Sequence, residues 1–281
     1  MGQLDKLRAD WQSAPARRLA IAAQDTILPH WNGTFPCGRR TNVVSQTLEI
    51  ESASCTSVPA AMLGSMQFTA RTFCLGVSLA ASLAYLCATK WVPAPFEVVL
   101  KGLAVTMLGV VALRERHSFL SAALLLSSLG DVLLELGRNY FLLGLAAFLT
   151  SHLIYIALFV RQRRRSSAAG REWVIPSLLV LYGIAFAIWL TPSLGDMRLP
   201  VYCYIAAIVG MVATARRANY RSPWVFMGAV LFLISDSLLG TERFKLQIPY
   251  SGVAIWTTYY LGQCGIALGV LNELRAATPR V

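Results

Sequence analysis

The sequence predicts an all-α fold, a polytopic bundle of about eight transmembrane helices, and three observations predict it. Hydrophobic residues make up 56% of the 281 positions and charged residues only 14%, where soluble domains carry about 25% charge. Mean hydropathy is +0.56. The apolar residues also fall in long runs, each near the roughly 20 residues a helix needs to cross a hydrocarbon core. The strands of a β-barrel would alternate polar and apolar residues, and these runs do not.

Residues 1–66 differ from the rest. They mix Arg, Asp, Pro, Ser and Thr, and their longest apolar stretch, Leu19 to Ala23, is too short to span. They also lack the early apolar core of a signal peptide. They read as a disordered extension, or as an over-extended gene start ahead of Met62 or Met66. The alternative is a membrane-surface tail, with Arg17 and Arg18 beside that apolar patch. Residues 67–281 form the transmembrane domain. Its spans are expected over about 68–88, 96–113, 118–136, 140–160, 173–191, 199–215, 224–241 and 252–272. The second and sixth are short, so tilt or bilayer thinning absorbs the mismatch. The connections carry Pro, Gly or charge, as in WVPAP, RQRRRSSAAGRE and TPSLGDMR.

The basic residues orient the chain. Loops after spans two, four and six hold Arg114, Arg116, Arg161, Arg163, Arg164, Arg165, Arg171, Arg216, Arg217 and Arg221, ten in all. The opposite set holds five: Lys90, Arg138, Arg198, Arg243 and Lys245. A bias of that sign places both termini in the cytoplasm and the protein in the cell (inner) membrane. It also accounts for much of the net charge of +11 without nucleic acid as a partner. The RQRRR run is then a topology anchor, with lipid-headgroup binding as the alternative. Six cysteines without CxxC spacing and only three histidines offer little to build a metal site. Neither metal nor cofactor is expected, and no oligomeric state is read from the chain.

Two aspartates lie inside apolar spans: Asp131 in LGDVLL and Asp236 in ISDSLL. A carboxylate mid-span costs about 2.5–3.5 kcal/mol on insertion scales, so it marks a site by default. Spans three and seven run in the same direction, and each aspartate sits about five residues before the outer end, so the two share a depth. Lys101, His152, Tyr204, Tyr259, Tyr260 and Gln263 fall in the same outer half, a layer about 10 Å thick. Each has a plainer role. Lys101 can snorkel to the interface, His152 can bond a nearby carbonyl or serine, and the tyrosines can belong to an aromatic belt. Glu135 and Glu242 lie closer to water. Two carboxylates in a dry site separate into an acid and a base. Hydrolases use that pair, and so do proton-coupled transporters.

The chain also carries the marks of a parallel duplication, four spans plus four. Asp131 to Tyr155 is 24 residues, Asp236 to Tyr260 is again 24, and the tyrosines end matching phrases, TSHLIY and WTTYY. Sites often lie between such repeats.

These phrases resemble the YhhN-like membrane proteins, whose animal members are lysoplasmalogenases. The likeness runs from about span two to span eight. It is carried by LGDVLL around Asp131, SHLIY at His152 to Tyr155, LPVYCY at Pro200 to Tyr204, FLISDSLLG around Asp236 and TTYYLGQ at Thr257 to Gln263. The resemblance implies hydrolysis of the vinyl ether of lysoplasmalogens, a lysophospholipid class, to a fatty aldehyde and a glycerophospho-alcohol, without a cofactor. One of Asp131 and Asp236 would be the acid, and the other the base that also steadies the cation. Lys101 would meet the substrate phosphate or tune an aspartate. Tyr204, Tyr259 and His152 would position water or glycerol oxygens, with Tyr155, Tyr260 and Gln263 beside them in the substrate site. A lysolipid transporter or flippase using the same aspartates as a proton relay is the alternative. A purely structural or sensory role is the third.

Overall fold

The computed structural model describes residues 60–88, 94–163 and 173–277. The expected extension, apart from residues 60–66, lies outside them. Eight long helices follow one another among the described residues: α1 (Ala60–Ala88), α2 (Ala94–Arg114), α3 (Ser118–Glu135), α4 (Phe141–Arg161), α5 (Val174–Leu194), α6 (Arg198–Arg217), α7 (Trp224–Phe244) and α8 (Ser251–Ala277). They fall where the sequence places its apolar stretches. Six stretches are long and apolar enough to cross a membrane: Thr69–Cys87, Phe96–Arg114, Ser118–Glu135, Arg138–Arg161, Val174–Arg217 and Trp224–Phe244. The fifth holds both α5 and α6. Helix α8 is not among them, because Thr257, Thr258, Gln263, Asn272 and Glu273 dilute its apolar residues. The fold is a helical membrane bundle.

The turns are set locally. Between α2 and α3, Arg116 adopts φ 59, and the His117 imidazole caps α3 by accepting the Leu120 N–H at 3.3 Å. That cap satisfies one of the donors that every helix start leaves unpaired. Gly195, at φ 51, stops α5 just beyond Pro192; a side chain would be strained there.

Consecutive helices are neighbours within each half, α1–α2–α3–α4 and α5–α6–α7–α8. Two further contacts close the halves into a ring: α4 against α6, and α8 against α2. In both, the last helix of one half meets the second helix of the other. Helix association in lipid rests on close packing and interhelical hydrogen bonds, and both are present. A Cβ on Gly228 of α7 would stand 2.6 Å from the Gly262 carbonyl oxygen of α8, and a Cβ on Gly262 would stand 2.8 Å from that of Gly228. The two backbones touch, and only hydrogen fits between them. Serines stitch the first half together. Ser121 and Ser128 of α3 donate to the Gly109 and Gly102 carbonyls of α2, at 2.9 and 2.7 Å, while Ser151 of α4 donates to Ala123 of α3 at 2.8 Å. Leu178, Leu181, Ile184 and Ile188 leave α5 exposed and apolar, as a surface facing hydrocarbon is.

Candidate functional site

Asp131 lies near the end of α3 and is buried, 3% exposed. The preceding Gly130 brings α3 onto α4 so closely that a Cβ there would stand 2.5 Å from the Phe148 ring. Asp131 Oδ2 accepts the Tyr259 hydroxyl at 2.7 Å. That hydroxyl accepts Gln263 Nε2 at 3.2 Å, and Gln263 Oε1 accepts the Tyr155 hydroxyl at 2.7 Å. One turn of α8 supplies both Tyr259 and Gln263, at the i, i+4 spacing that stacks side chains on one face. The result is a chain of three hydrogen bonds leading away from Asp131 through fully buried side chains of α8 and α4.

Asp236, on α7, is held differently. Its Oδ2 accepts the Tyr204 hydroxyl of α6 at 2.5 Å, and His152 Nε2 of α4 stands 3.8 Å from the same oxygen. Neither nitrogen of the fully buried His152 ring completes a hydrogen bond with another described residue, and the nearest backbone acceptor is at Phe148, one turn back. The ring packs between Tyr204 and Phe232, at centroid distances of 5.2 and 4.9 Å.

Both aspartates line one cavity of about 270 Å³, with Lys101, Glu135, Glu242 and Tyr259. Lys101 Nζ is bonded to Glu135 Oε2 at 2.8 Å. It also lies 5.5 Å from the Tyr85 ring centre and 5.7 Å from that of Trp256, within reach of cation–π attraction. Asp131 is close enough to feel the charges of Lys101, Glu135 and Asp236. A second pocket, about 50 Å³ and apolar, lies between Leu145, Phe186, Leu190 and Val201, with Arg243 in its wall. Asp236 stands in the walls of both spaces, and Asp131 only in the first.

The nine residues that the sequence singles out thus divide. Lys101, Asp131, Asp236 and Tyr259 line the polar cavity, and Tyr204 borders the apolar pocket. His152, Tyr155 and Gln263 stand behind the walls, fully buried. The Tyr260 hydroxyl is turned to Ser78, 2.9 Å away. Sequence reasoning missed Tyr85, Trp256 and Ser235, which also line the cavity. The Ser235 hydroxyl bonds the Ile255 carbonyl at 2.9 Å, tying α7 to α8. The signal for the two aromatics was their placement near the same helix ends as Lys101, easily taken for a belt. Among the described residues, no three His, Cys, Asp or Glu side chains gather as metal ligands would.

Residues 95–270 match the YhhN family. The chain is similar to a lysoplasmalogenase of Mycobacterium bovis, 37% identical over 161 residues that cover 56% of this chain and 61% of the relative. It is similar to lysoplasmalogenase TMEM86B of Homo sapiens, 33% identical over 55% of this chain and 64% of the relative. Lysoplasmalogenase TMEM86A of Bos taurus is 31% identical over 53% and 64%. The chain spans about three-fifths of the length of these curated relatives. No solved structure matches it.

Proposed function

Because the chain belongs to the YhhN family, we propose that it is a membrane hydrolase that cleaves the vinyl ether of 1-alkenyl lysophospholipids, with Asp236 as the acid and Asp131 as the base. The observation that carries the assignment is the position of Asp236 in both walls, polar and apolar. A single-chain lipid laid across that junction has the first carbons of its alkenyl chain at the small apolar pocket and its glycerophosphate in the polar cavity. The alkene carbon to be protonated belongs to the chain side and so comes to Asp236. The ether oxygen and the attacking water lie on the side of Asp131.

Asp236 gives its proton to the outer alkene carbon, whose π pair forms the new C–H bond and leaves an oxocarbenium ion. The Asp131 carboxylate steadies that cation and takes a proton from the water that adds to it. The hemiacetal then collapses: Asp131 returns its proton to the departing alcohol oxygen, and Asp236 recovers one from the hydroxyl as the aldehyde forms. Both groups end as they began, and general acid–base steps of this kind contribute about 10²–10⁴-fold each. The Tyr259–Gln263–Tyr155 chain points a donor at Asp131 and fits a group that must act as an acceptor. Lys101, though neutralised by Glu135, faces the space where the substrate phosphate would lie. His152, Tyr155 and Gln263 act as positioning residues.

The ten-to-five distribution of basic residues supports cytoplasmic termini and a site toward the outer face of the cell membrane. The matching closures of the ring, α4 on α6 and α8 on α2, support a parallel duplication with the site between its halves. The test is aldehyde release from 1-alkenyl lysophospholipid by the purified protein, beside Asp131→Asn and Asp236→Asn. A folded wild type that makes no aldehyde refutes the reading. Transport of intact lysolipid driven by a pH gradient, in proteoliposomes, would establish the transporter instead.

A further inference from the structure

We propose that Arg71, Arg114 and Arg275 form a binding site for the phosphate of an anionic group, at the end of the bundle opposite the aspartates. Arg114 closes α2, 13 residues beyond Lys101, which at 1.5 Å per residue is about 20 Å along the helix. Arg71 lies on α1 and Arg275 near the end of α8. With Glu115 they surround a cavity of about 370 Å³, a volume in the range of small-ligand sites.

Among the described residues the charges in this cavity do not balance: three guanidinium groups face one carboxylate, a surplus of two positive charges. Glu115 takes the Arg275 fork through Nε at 3.2 Å and Nη2 at 2.8 Å, and stands 3.6 Å from Arg71 Nε. Arg71 Nη2 donates to Asn272 Oδ1 at 3.2 Å. Arg275 also places a like charge near Arg71. Arg114 is exposed, lines the cavity and makes no hydrogen bond or ion pair with another described residue. Glu115 thus acts as a splint: it fixes two guanidinium groups in place while the third, and the unused N–H donors of the first two, stay available. Planar guanidinium forks match phosphate oxygens in pairs. The helix ends that carry them sit at the level where a bilayer has its phosphates.

The three arginines belong to α1, α2 and α8, the helices at one closure of the ring. An anion among them replaces repulsion by attraction and pins that closure. The ligand is a phosphate, either the headgroup of an anionic lipid or the free ion.

Thermal melting of the full-length protein in nanodiscs tests this. In phosphatidylcholine alone, Arg114→Gln melts with the wild type, since the Arg114 side chain is exposed and makes no hydrogen bond or ion pair with another described residue. Adding phosphatidylglycerol raises the wild-type midpoint by roughly 5 °C, the shift expected of a ligand well above its dissociation constant. Arg114→Gln loses that shift and Arg114→Lys retains part of it. If inorganic phosphate in phosphatidylcholine nanodiscs gives the same Arg114-dependent shift, the free ion is the ligand; if only phosphatidylglycerol does, it is the lipid. The proposal is overturned when neither addition moves the wild type, or when Arg114→Gln responds as fully as the wild type does.

Discussion

Asp131 and Asp236 lie in the C-terminal halves of α3 and α7 and line one cavity, yet their surroundings differ in kind. Asp131 sits at the head of an ordered chain, with Tyr259, Gln263 and Tyr155 each oriented by the next. Asp236 has one donor, Tyr204, a buried imidazole 3.8 Å away that completes no hydrogen bond with another described residue, and an apolar pocket on its far side. The difference shows how one cavity can hold two carboxylates in unlike surroundings. The two carboxylates lie on separate helices, and the side chains packed behind each one set its surroundings. A fixed donor favours a lasting acceptor, whereas an unbonded imidazole and a dry wall leave room for a proton to come and go.

The comparison breaks first at the carboxylates themselves. Asp131→Asn and Asp236→Asn each lower aldehyde release by about 10²–10⁴-fold; a folded variant with wild-type turnover removes that aspartate from the chemistry. The donors come next. Tyr259→Phe takes away the Asp131 bond and leaves Gln263 Nε2 without an acceptor, while Tyr204→Phe takes away one bond. Hydrogen bonds to charged groups contribute about 1.5–3 kcal/mol, so kcat falls roughly a hundredfold for Tyr259→Phe and roughly tenfold for Tyr204→Phe. Equal losses would mean that the chain behind Tyr259 adds nothing. His152→Leu sharpens the view of Asp236. Removing an unbonded imidazole holds or raises the melting temperature, while kcat drops about fivefold, worth about 1 kcal/mol. Unchanged turnover would assign the ring to packing alone. The smallest effect is at the far end of the chain, where Tyr155→Phe deletes one bond between neutral groups. A two- to fivefold fall in kcat is expected, from roughly 0.5–1 kcal/mol, and a larger fall than that of Tyr259→Phe would mean that Tyr155 does not act through Tyr259.

Much of this architecture was legible in the sequence, because hydropathy reports depth. The apolar runs placed the helices, and the polar residues within them placed a layer that includes both aspartates. What depth cannot report is azimuth. His152, Tyr259 and Gln263 were expected in one layer, but only the helix packing sends Tyr259 to the cavity and the other two behind it. Lys101 could have faced lipid or either aspartate, and its partner is Glu135, 34 residues away on the neighbouring helix. The α7–α8 contact was likewise hidden. Gly228, Gly262 and Gly265 read as ordinary small residues until the two backbones are seen to touch.

The shared wall at Asp236 has a consequence for what happens after the bond breaks. The two fragments of the proposed reaction differ in solubility as much as any pair a single cleavage can make. One space is lined by Leu145, Phe186 and Leu190, the other by Lys101, Glu135 and Glu242. The oily fragment is left where lipid is the nearest solvent, and the polar one where water is. Each departs down its own gradient, and the return reaction, which needs both in one place, is starved of partners.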